Sequence, residues 1–519
     1  MTDPRTPVLV GVAQYTQKTD PTRSLTAMQM VEQAARGALA DTGARAGEAA
    51  LIEALDTVLV VGFTVDAPDI AIGNLPKPTN PPRSLGKALG TRPKREIYTY
   101  MGGNTPQMAV NRLAQDIAEG TCEAAILSGA EFLNSYLKLA RAGEDLAAWG
   151  VEDGTPGIVW GDPRPGTLDF ETAHGLNFPV NTYPLFENAI RHVRGRTVEE
   201  HNAAIGRLFS PFSAVAARNP HAWFPTRRSP EEIATVTPDN RYVGFPYTKY
   251  MNAIIQVDQM AGLVMMSAGK ARALGIPESK WVYLHGCADA TDHFHVIERA
   301  DFHSSPAIKA MGERAFAMAG WSVDDLDTID LYSCFPSAVE LACEALGLAE
   351  TDPRGLTVTG GLPYFGGPGN NYVMHSIVST VERLRASGKA DARGLVTANG
   401  WYITKHAIGL YGTKPPAGPF EREAPAVLQA QIDRMPKADY VREPVGPARI
   451  ETYTVVHDRK GPRMGLVMGR LQADDRRFVA LTPDDDRTAL QSLMDQDGIG
   501  RPGIVVSHDG GLRNVFTLA

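Results

Sequence analysis

The sequence predicts an α/β protein built from two βα halves, with an ordered insertion in the first half and a small antiparallel barrel after the second. Three observations predict this. Near-continuous apolar strands alternate with helical stretches over the first ~130 residues and again from ~304 to ~412, the pattern of a parallel or mixed sheet covered on both faces. Between ~135 and ~250 Gly, Pro, Trp and Arg become frequent and periodicity weakens. The last ~75 residues alternate apolar and polar positions and close on a Gly-Gly hairpin signal.

In the first block, VLVGVAQY (8–15) reads as a buried strand and SLTAMQMVEQAARGALADTG (24–43) as a helix with a Ser start and a Gly stop. DTVLVVGF (56–63), REIYTYM (95–101) and CEAAILSGAE (122–131) are further strands, with a helix over 105–119 between the last two. The insertion keeps two helical stretches in RHVRGRTVEEHNAAIGRLFSPFSAVAARNPHAWF, so it is ordered and not a linker. IIQVDQMAGLVMMSAGKARALG (254–275) reads as one long helix, and WVYLHGCADA (281–290) as a strand. The second block gives helix SSPAIKAMGERAFAMAGW, strand TIDLYSCF, helix PSAVELACEALGL and a short strand LTVTGG. Helix NNYVMHSIVSTVERLRA and strand GLVTANGWYI follow. KPPAGPFEREAP (414–425) reads as a linker.

Composition narrows the function. Hydrophobic residues make up 43% and charged residues 21%, ordinary for a globular chain with a large core. A formal net charge of -8 argues against nucleic acid as a partner. No apolar run is long enough to span a bilayer, and MTDPRTPVLVGVAQY lacks the basic start and apolar stretch of a signal peptide. Cys122, Cys287, Cys334 and Cys343 suit neither a zinc site nor a disulfide framework, so the expectation is a cytoplasmic protein without a metal.

The stretch YTYMGGNTPQ raises a sharper question. Strand, glycine turn and helix N-terminus commonly present a nucleophile or an anion site, yet this turn has no Cys or Ser. NTPQMAVNRLAQDIAEGTCEAAILSGAE resembles the nucleophile helix and following strand of thiolases, above all those of the sterol-carrier-protein type. DLYSCFPSAVEL resembles that group's HDCF strand end, TGGLPYFGGPGNN its GGxxxxGHP loop, and KHAIGLYG its last catalytic loop. The 241–275 stretch, with Asp258 in the helix, and NPHAWF match as well. The appended barrel resembles the extra domain of the subgroup called thiolase-like protein type one. The resemblance implies a duplicated thiolase fold with a layered αβαβα core. It divides the chain into an N-terminal half (1–134 and 251–300), a coenzyme-A-binding loop domain (135–250), a C-terminal half (301–413) and an additional domain (426–519).

The departures carry the function. The resemblance puts Gly103 at the position of the nucleophilic Cys, and a one-residue slip gives Gly102 or Asn104; none forms a thioester. Gly367 replaces the GHP histidine in Gly366-Gly367-Pro368, and no Cys lies between Leu395 and Gly409. Tyr332 and Ser333 stand where HDCF has His and Asp, while Cys334 and Phe335 persist. In that group the persisting Cys is an acid/base, so Cys334 is a candidate catalyst beside Tyr332; the alternatives are a small core thiol and a buried phenol bonded to a backbone carbonyl. His406 matches a His of the last loop and is the third candidate, whereas His375 reads as a packed helix residue. Gly103 and Asn104 either ease the turn or leave room for a thioester across the helix N-terminus.

Coenzyme A carries phosphates that call for cations. Arg191, Arg194 and Arg196 of RHVRGR are the expected phosphate ligands, with Arg218, Arg227 and Arg228 beyond; a solvated helix face is the alternative. The resemblance therefore implies a protein that binds coenzyme A or acyl-CoA as a ligand, needs no cofactor, and lacks ordinary thiolase activity. Two other outcomes stay open: retro-aldol cleavage of a β-hydroxyacyl-CoA through Tyr332 and Cys334, and a non-catalytic lipid-binding or scaffold protein. Acetyl-CoA acetyltransferase is the label that similarity attracts. Thiolases dimerise through the strand that is REIYTYM here. The appended barrel is expected to reach that edge, so monomer and homodimer both stand.

Overall fold

A computed structural model describes residues 2–67 and 75–519. The strands in chain order are β1 (Pro7–Thr16), β2 (Thr57–Val60), β3 (Arg95–Thr99), β4 (Ala124–Glu131), β5 (Ile158–Trp160), β6 (Tyr242–Gly244), β7 (Tyr247–Thr248), β8 (Gln259–Ser267) and β9 (Val282–Thr291). They continue with β10 (Thr328–Asp330), β11 (Arg393–Gly400), β12 (Lys405–Gly412), β13 (Gly446–Asp458), β14 (Gly461–Leu471), β15 (Arg477–Leu481), β16 (Pro502–His508) and β17 (Arg513–Leu518). Ten of them form one mixed sheet in the order β10-β11-β12-β9-β1-β8-β4-β2-β3-β5. The two halves meet at β1 and β9, where only Val8–Tyr283 and Leu9–Val282 pair.

Helices Ala27–Asp41 and Pro81–Leu89 cover the outer face of the first half, and Pro306–Ala319 covers that of the second. Helices Thr105–Glu119 and Tyr372–Ala386 contact each other and strands of both halves, so they form a middle layer. This is the mixed, layered α/β arrangement that the sequence pattern implies. The middle layer brings the N-terminus of the Thr105–Glu119 helix against the second half.

Four expectations need correction. The 254–275 stretch is not one helix: β8 occupies Gln259–Ser267, central between β1 and β4, and only Ala268–Ala273 is helical. Every residue of β8 is buried, so the alternation that marks a strand is erased. Asp258 accordingly precedes a strand, where it accepts from Asn134, Ser135 N–H and Ser135 Oγ. LTVTGG forms no strand, because the Asp330 carboxylate takes the N–H groups of Val358 and Thr359 at 2.8 and 3.2 Å. TIDLYSCF is a strand only over Thr328–Asp330.

The C-terminal strands do not form a separate, purely antiparallel unit. The pairings run β13–β14–β15–β17–β16 and return to β13, but β15 and β17 are parallel and joined at Leu481–Val515 alone. The insertion adds β6 to β13 at Gly244–Val456. This region is docked firmly. Arg477 is fully buried, binds Glu451 at 2.6 and 2.7 Å, and donates to the carbonyls of Ile297 (3.0 Å) and Arg299. The edge of REIYTYM is covered by β5 and not by this region: Ile97, Tyr98 and Thr99 pair with Ile158, Val159 and Trp160.

Candidate active-site cleft

β3 ends at Thr99, and the chain turns through Met101–Asn104 into the Thr105–Glu119 helix, whose first turn carries Pro106. Gly102 has φ +154° and its carbonyl takes both Thr105 N–H (3.0 Å) and Thr105 Oγ1 (2.8 Å). Its own N–H donates to Asn370 Oδ1 at 2.9 Å, while Asn370 Nδ2 donates to Gly62 O at 2.8 Å. Asn370 thus pins the turn from the GGPGNN loop. Among the described residues, the N–H groups of Gly103 and Asn104 have no acceptor. They face the positive end of the helix dipole.

Gly103 has no room for a side chain. A Cβ there would lie 2.5 Å from Tyr332 Oη and 2.5 Å from the Asn399 carbonyl. The Tyr332 phenol therefore occupies the space toward which residue 103 would project. Tyr332 follows β10, its N–H donates to Thr397 Oγ1 at 2.9 Å, and its ring meets Tyr372 edge-on at 5.6 Å. Its Oη has no hydrogen-bond partner among the described residues. Burial, then the nearby Cys334 thiol and Tyr372, raise its pKa well above the ordinary phenol value.

Cys334 is buried, and burial pushes its thiol up to about 12, so it is a thiol and not a thiolate near neutrality. Asn399 Nδ2 lies 3.9 Å from its Sγ and donates to Tyr183 Oη at 2.9 Å. Tyr183 Oη in turn donates to Trp401 O at 2.9 Å, and its ring stacks on Phe335 at 4.3 Å. Tyr183 comes from the insertion's Pro179–Val193 helix. Neither it nor Asn399 is marked by any motif. Trp401 and Ile403 both adopt φ +56°, which is strained for such side chains, and Trp401 lines the cleft.

These groups border a cleft of about 430 Å3 whose walls include Ala67, Phe178, Val180, Ile255, Leu362 and Trp401. Gly102, Gly103, Tyr332, Cys334 and Gly367 all reach it, and among the described residues no lysine or arginine does. Beside it Glu131 is fully buried, taking Thr64 N–H (3.0 Å), Thr64 Oγ1 (2.5 Å) and Asn370 N–H (3.1 Å). Burial pushes its carboxyl up to about 7 despite those donors. Asn104 does not face the cleft openly; its Oδ1 is wedged where side chains on Gly102 and Gly400 would be, at 2.4 and 2.6 Å.

His406 lies elsewhere. It pairs across the ladder with Asn399 and lines a small separate void behind the cleft together with Tyr332 and Met311. Its Nε2 is 3.6 Å from Asp292 Oδ2. The preceding residue, Lys405, which has no motif to announce it, lies behind the cleft wall: it is only 3% exposed, and its Nζ donates to Met101 O.

The RHVRGR arginines do not make a phosphate site. Arg191 is 2% exposed and spends its guanidinium on Asp497 (2.7 Å), Asn188 (3.2 Å) and Arg196 O (3.0 Å). Arg194 pairs with Glu340 and Glu350 at 2.6 and 2.7 Å. Arg196 Nη1 is 3.4 Å from His201 Nδ1. Arg194 ties the insertion to the second half and Arg191 ties it to the C-terminal region, while Arg196 stays within the insertion; none of the three lines the cleft. Nearby, Glu187, His201 and Glu340 converge in the interior. His201 Nε2 is bonded directly to Glu187 Oε1 at 2.5 Å, and Tyr247 Oη donates to Glu187 Oε2 at 2.5 Å, while Glu340 Oε2 is left without a partner among the described residues.

Comparison with known proteins gives two matching family descriptions: the thiolase-like protein type 1 additional C-terminal domain over residues 427–510, and the thiolase C-terminal domain-like family over 288–368. The crystal structure of a monomeric SCP2-thiolase-like protein type 1 from Mycobacterium smegmatis is similar over 100% of both chains, with 37% identity and a TM-score of 0.85. The Ltp2-ChsH2(DUF35) aldolase shares the fold at 19% identity and TM-score 0.56, over 79% of this chain and 98% of that one. An acetyl-CoA acetyltransferase of Methanocaldococcus jannaschii is 23% identical over 342 residues, 64% of this chain and 75% of that protein.

Proposed function

We propose that this chain, which belongs to the SCP2-thiolase-like proteins of type 1, binds the acyl end of a thioester without forming an acyl-enzyme. One observation carries the reading: Tyr332 Oη fills the space into which a nucleophile at position 103 would project. The cleft walls suit an apolar acyl group. The free N–H groups of Gly103 and Asn104, at the N-terminus of the helix, suit a thioester carbonyl oxygen. The phosphates of coenzyme A would lie outside the cleft, since no cation among the described residues lines it. Labelled acetyl-CoA should leave no acid-stable acetyl group on a cysteine, and thiolysis of acetoacetyl-CoA should be undetectable. A stoichiometric acetyl-enzyme on Cys334 would overturn the reading.

A second reading, retro-aldol cleavage of a β-hydroxyacyl-CoA, is favoured by the unpartnered Tyr332 hydroxyl at the same spot. Tyr332 would meet the β-hydroxyl, with Cys334 alongside, while the Gly103 and Asn104 N–H groups hold the enolate oxygen. Cleavage that survives Tyr332→Phe would remove this reading. The remaining assignments are also ours. The loop domain, the two halves and a small barrel-like C-terminal module follow the sequence boundaries. The chain acts as a monomer because β5 occupies the edge of β3. It works in the cytoplasm, in keeping with four buried free thiols, in lipid or acyl-CoA metabolism.

A further inference from the structure

One residue of the cleft wall is held in a backbone conformation that its type avoids. β11 ends at Gly400 and β12 begins at Lys405, and the turn between them carries Trp401 and Ile403, both at φ +56°. Three groups from other elements hold this turn. Tyr183 Oη, from the insertion, donates to Trp401 O at 2.9 Å. The buried Arg299 guanidinium donates to the carbonyls of Tyr402 (3.2 Å) and Ile403 and to Thr404 Oγ1 (3.1 Å). Asn177 O accepts from Tyr402 Oη at 2.7 Å, which ties the turn to the insertion a second time. A strained backbone persists only where its surroundings fix it, and such residues gather at binding sites.

The strained turn fixes the position of one indole. Gly400 packs directly on the glycine turn: a Cβ on it would lie 3.2 Å from Gly102 Cα and 3.3 Å from Gly103 N. Trp401 is the next residue, and it lines the same cleft as Gly103. Its ring has no room to retreat. A Cβ on Gly166 would be 2.7 Å from its Cδ2 and Cε3, so the backbone of the insertion lies against it. Lys405 Nζ is 5.3 Å from the ring centre. The indole N–H has no partner among the described residues, so packing and not a hydrogen bond sets the ring. We propose that Trp401 is a specificity-determining residue, whose indole limits the length of the acyl chain that a bound thioester carries. This rests on the reading that a thioester occupies the cleft. A volume of about 430 Å3 falls in the range that holds drug-sized ligands, far more than an acetyl group fills. The ligand class is therefore an aliphatic acyl thioester longer than acetyl. Its chain, leaving a carbonyl held at the Gly103 and Asn104 N–H groups, meets the indole as a fixed wall.

The experiment titrates the full-length chain, by calorimetry, with unreactive S-alkyl thioethers of coenzyme A bearing ethyl, butyl, octyl and dodecyl groups. Trp401→Gly and Trp401→Asn both remove the indole, and both residue types accept the left-handed backbone, so the turn keeps its shape. In the parent protein, affinity should rise with chain length and stop rising within the series. In the variants, each further methylene that enters the space left by the indole adds about fourfold. Two or more of them raise the dodecyl-to-butyl affinity ratio at least about tenfold. A ratio that falls, or that moves by less than one methylene's worth in both variants, would overturn the assignment and leave thioester binding in place. A parent protein that binds no member of the series would overturn the thioester reading, and the assignment with it.

Discussion

Substitution of Gly103 by Ala tests whether the cleft has truly been rebuilt around the phenol. Gly103 does not need a left-handed backbone, so Ala is compatible with its conformation and the cost is steric. The added Cβ would sit 2.5 Å from Tyr332 Oη and from Asn399 O, roughly 0.9 Å inside the 3.4 Å at which ordinary contact begins. The phenol can give only by disturbing its packing against Tyr372, and the carbonyl only by moving β11. Close-packed interiors absorb such intrusions poorly, and overpacking of this kind costs about 1–3 kcal/mol. Two simultaneous contacts, one with backbone, put Gly103→Ala toward the upper end, about 2–3 kcal/mol. The assay is the midpoint of urea or thermal unfolding, repeated for Tyr332→Phe and for the double variant. Removing the hydroxyl relieves one contact and not the other, so the cycle should show favourable coupling of about 1 kcal/mol. A Gly103→Ala protein as stable as the parent, or a zero coupling term, would refute the claim that Tyr332 fills this position. So would Gly103→Cys if it acquired an acetyl-enzyme without any change at Tyr332.

The other predictions follow from individual groups. Glu131 has a folded pKa of about 7, above that of a free carboxyl, so the stability tied to its proton is fully present below about pH 4.5 and lost as pH rises through 7. Glu131→Gln should flatten the fall in melting temperature between those values, a difference of up to about 3 kcal/mol, and an unchanged profile would exclude Glu131 as its source. Arg477→Leu leaves Glu451 facing Arg470 alone and strips the carbonyls of Ile297 and Arg299, so it should cost about 3–5 kcal/mol and expose residues 414–425 to limited proteolysis. Arg191→Ala should weaken docking of the C-terminal region, Arg196→Ala should not, and neither should alter acyl-CoA titration; a selective loss of affinity would return these arginines to the phosphate site. Sedimentation should give a single-chain mass, and removing the apolar pair with Ile158→Asp and Val159→Asp should leave β3 uncovered and raise self-association.

Much of the fold was legible because its signals are local. β1 to β4, the helix after the glycine turn, and the switch to alternating strands after residue ~440 are all written in apolar runs, period-2 patterns and glycine stops. What was hidden depends on partners far along the chain. β8 lies between two other strands and is buried on both faces, so QMAGLVMMS shows neither period 2 nor β-branched enrichment. LTVTGG has strand-like residues, but Asp330 supplies acceptors that a neighbouring strand would otherwise provide. The RHVRGR cluster reads as a free basic patch until Asp497, some three hundred residues later, arrives beside Arg191. In the cleft, Gly102, Gly103, Tyr332 and Cys334 could be found by resemblance, and the structure brings them together. Tyr183, Asn399 and Lys405 could not, because a buried Tyr, an Asn at a strand end and a Lys at a strand start are ordinary residues outside their tertiary setting.

The changes around the turn are interlocked, which explains why they occur together. Tyr332 needs a glycine at 103, and so does the Asn399 carbonyl. Asn104 Oδ1 needs glycines at 102 and 400. Lys405 needs Gly102 as well, since a side chain there would strike its terminal carbon and nitrogen. Reversing any one of these positions therefore creates a collision before it creates a catalyst. What this packing leaves untouched is the set of features that never depended on a side chain at 103: the helix N-terminus with its free N–H groups, the apolar walls, and Asn370 holding the turn. A pocket changed in this way loses a means of covalent attack while keeping the shape and dipole that receive a carbonyl.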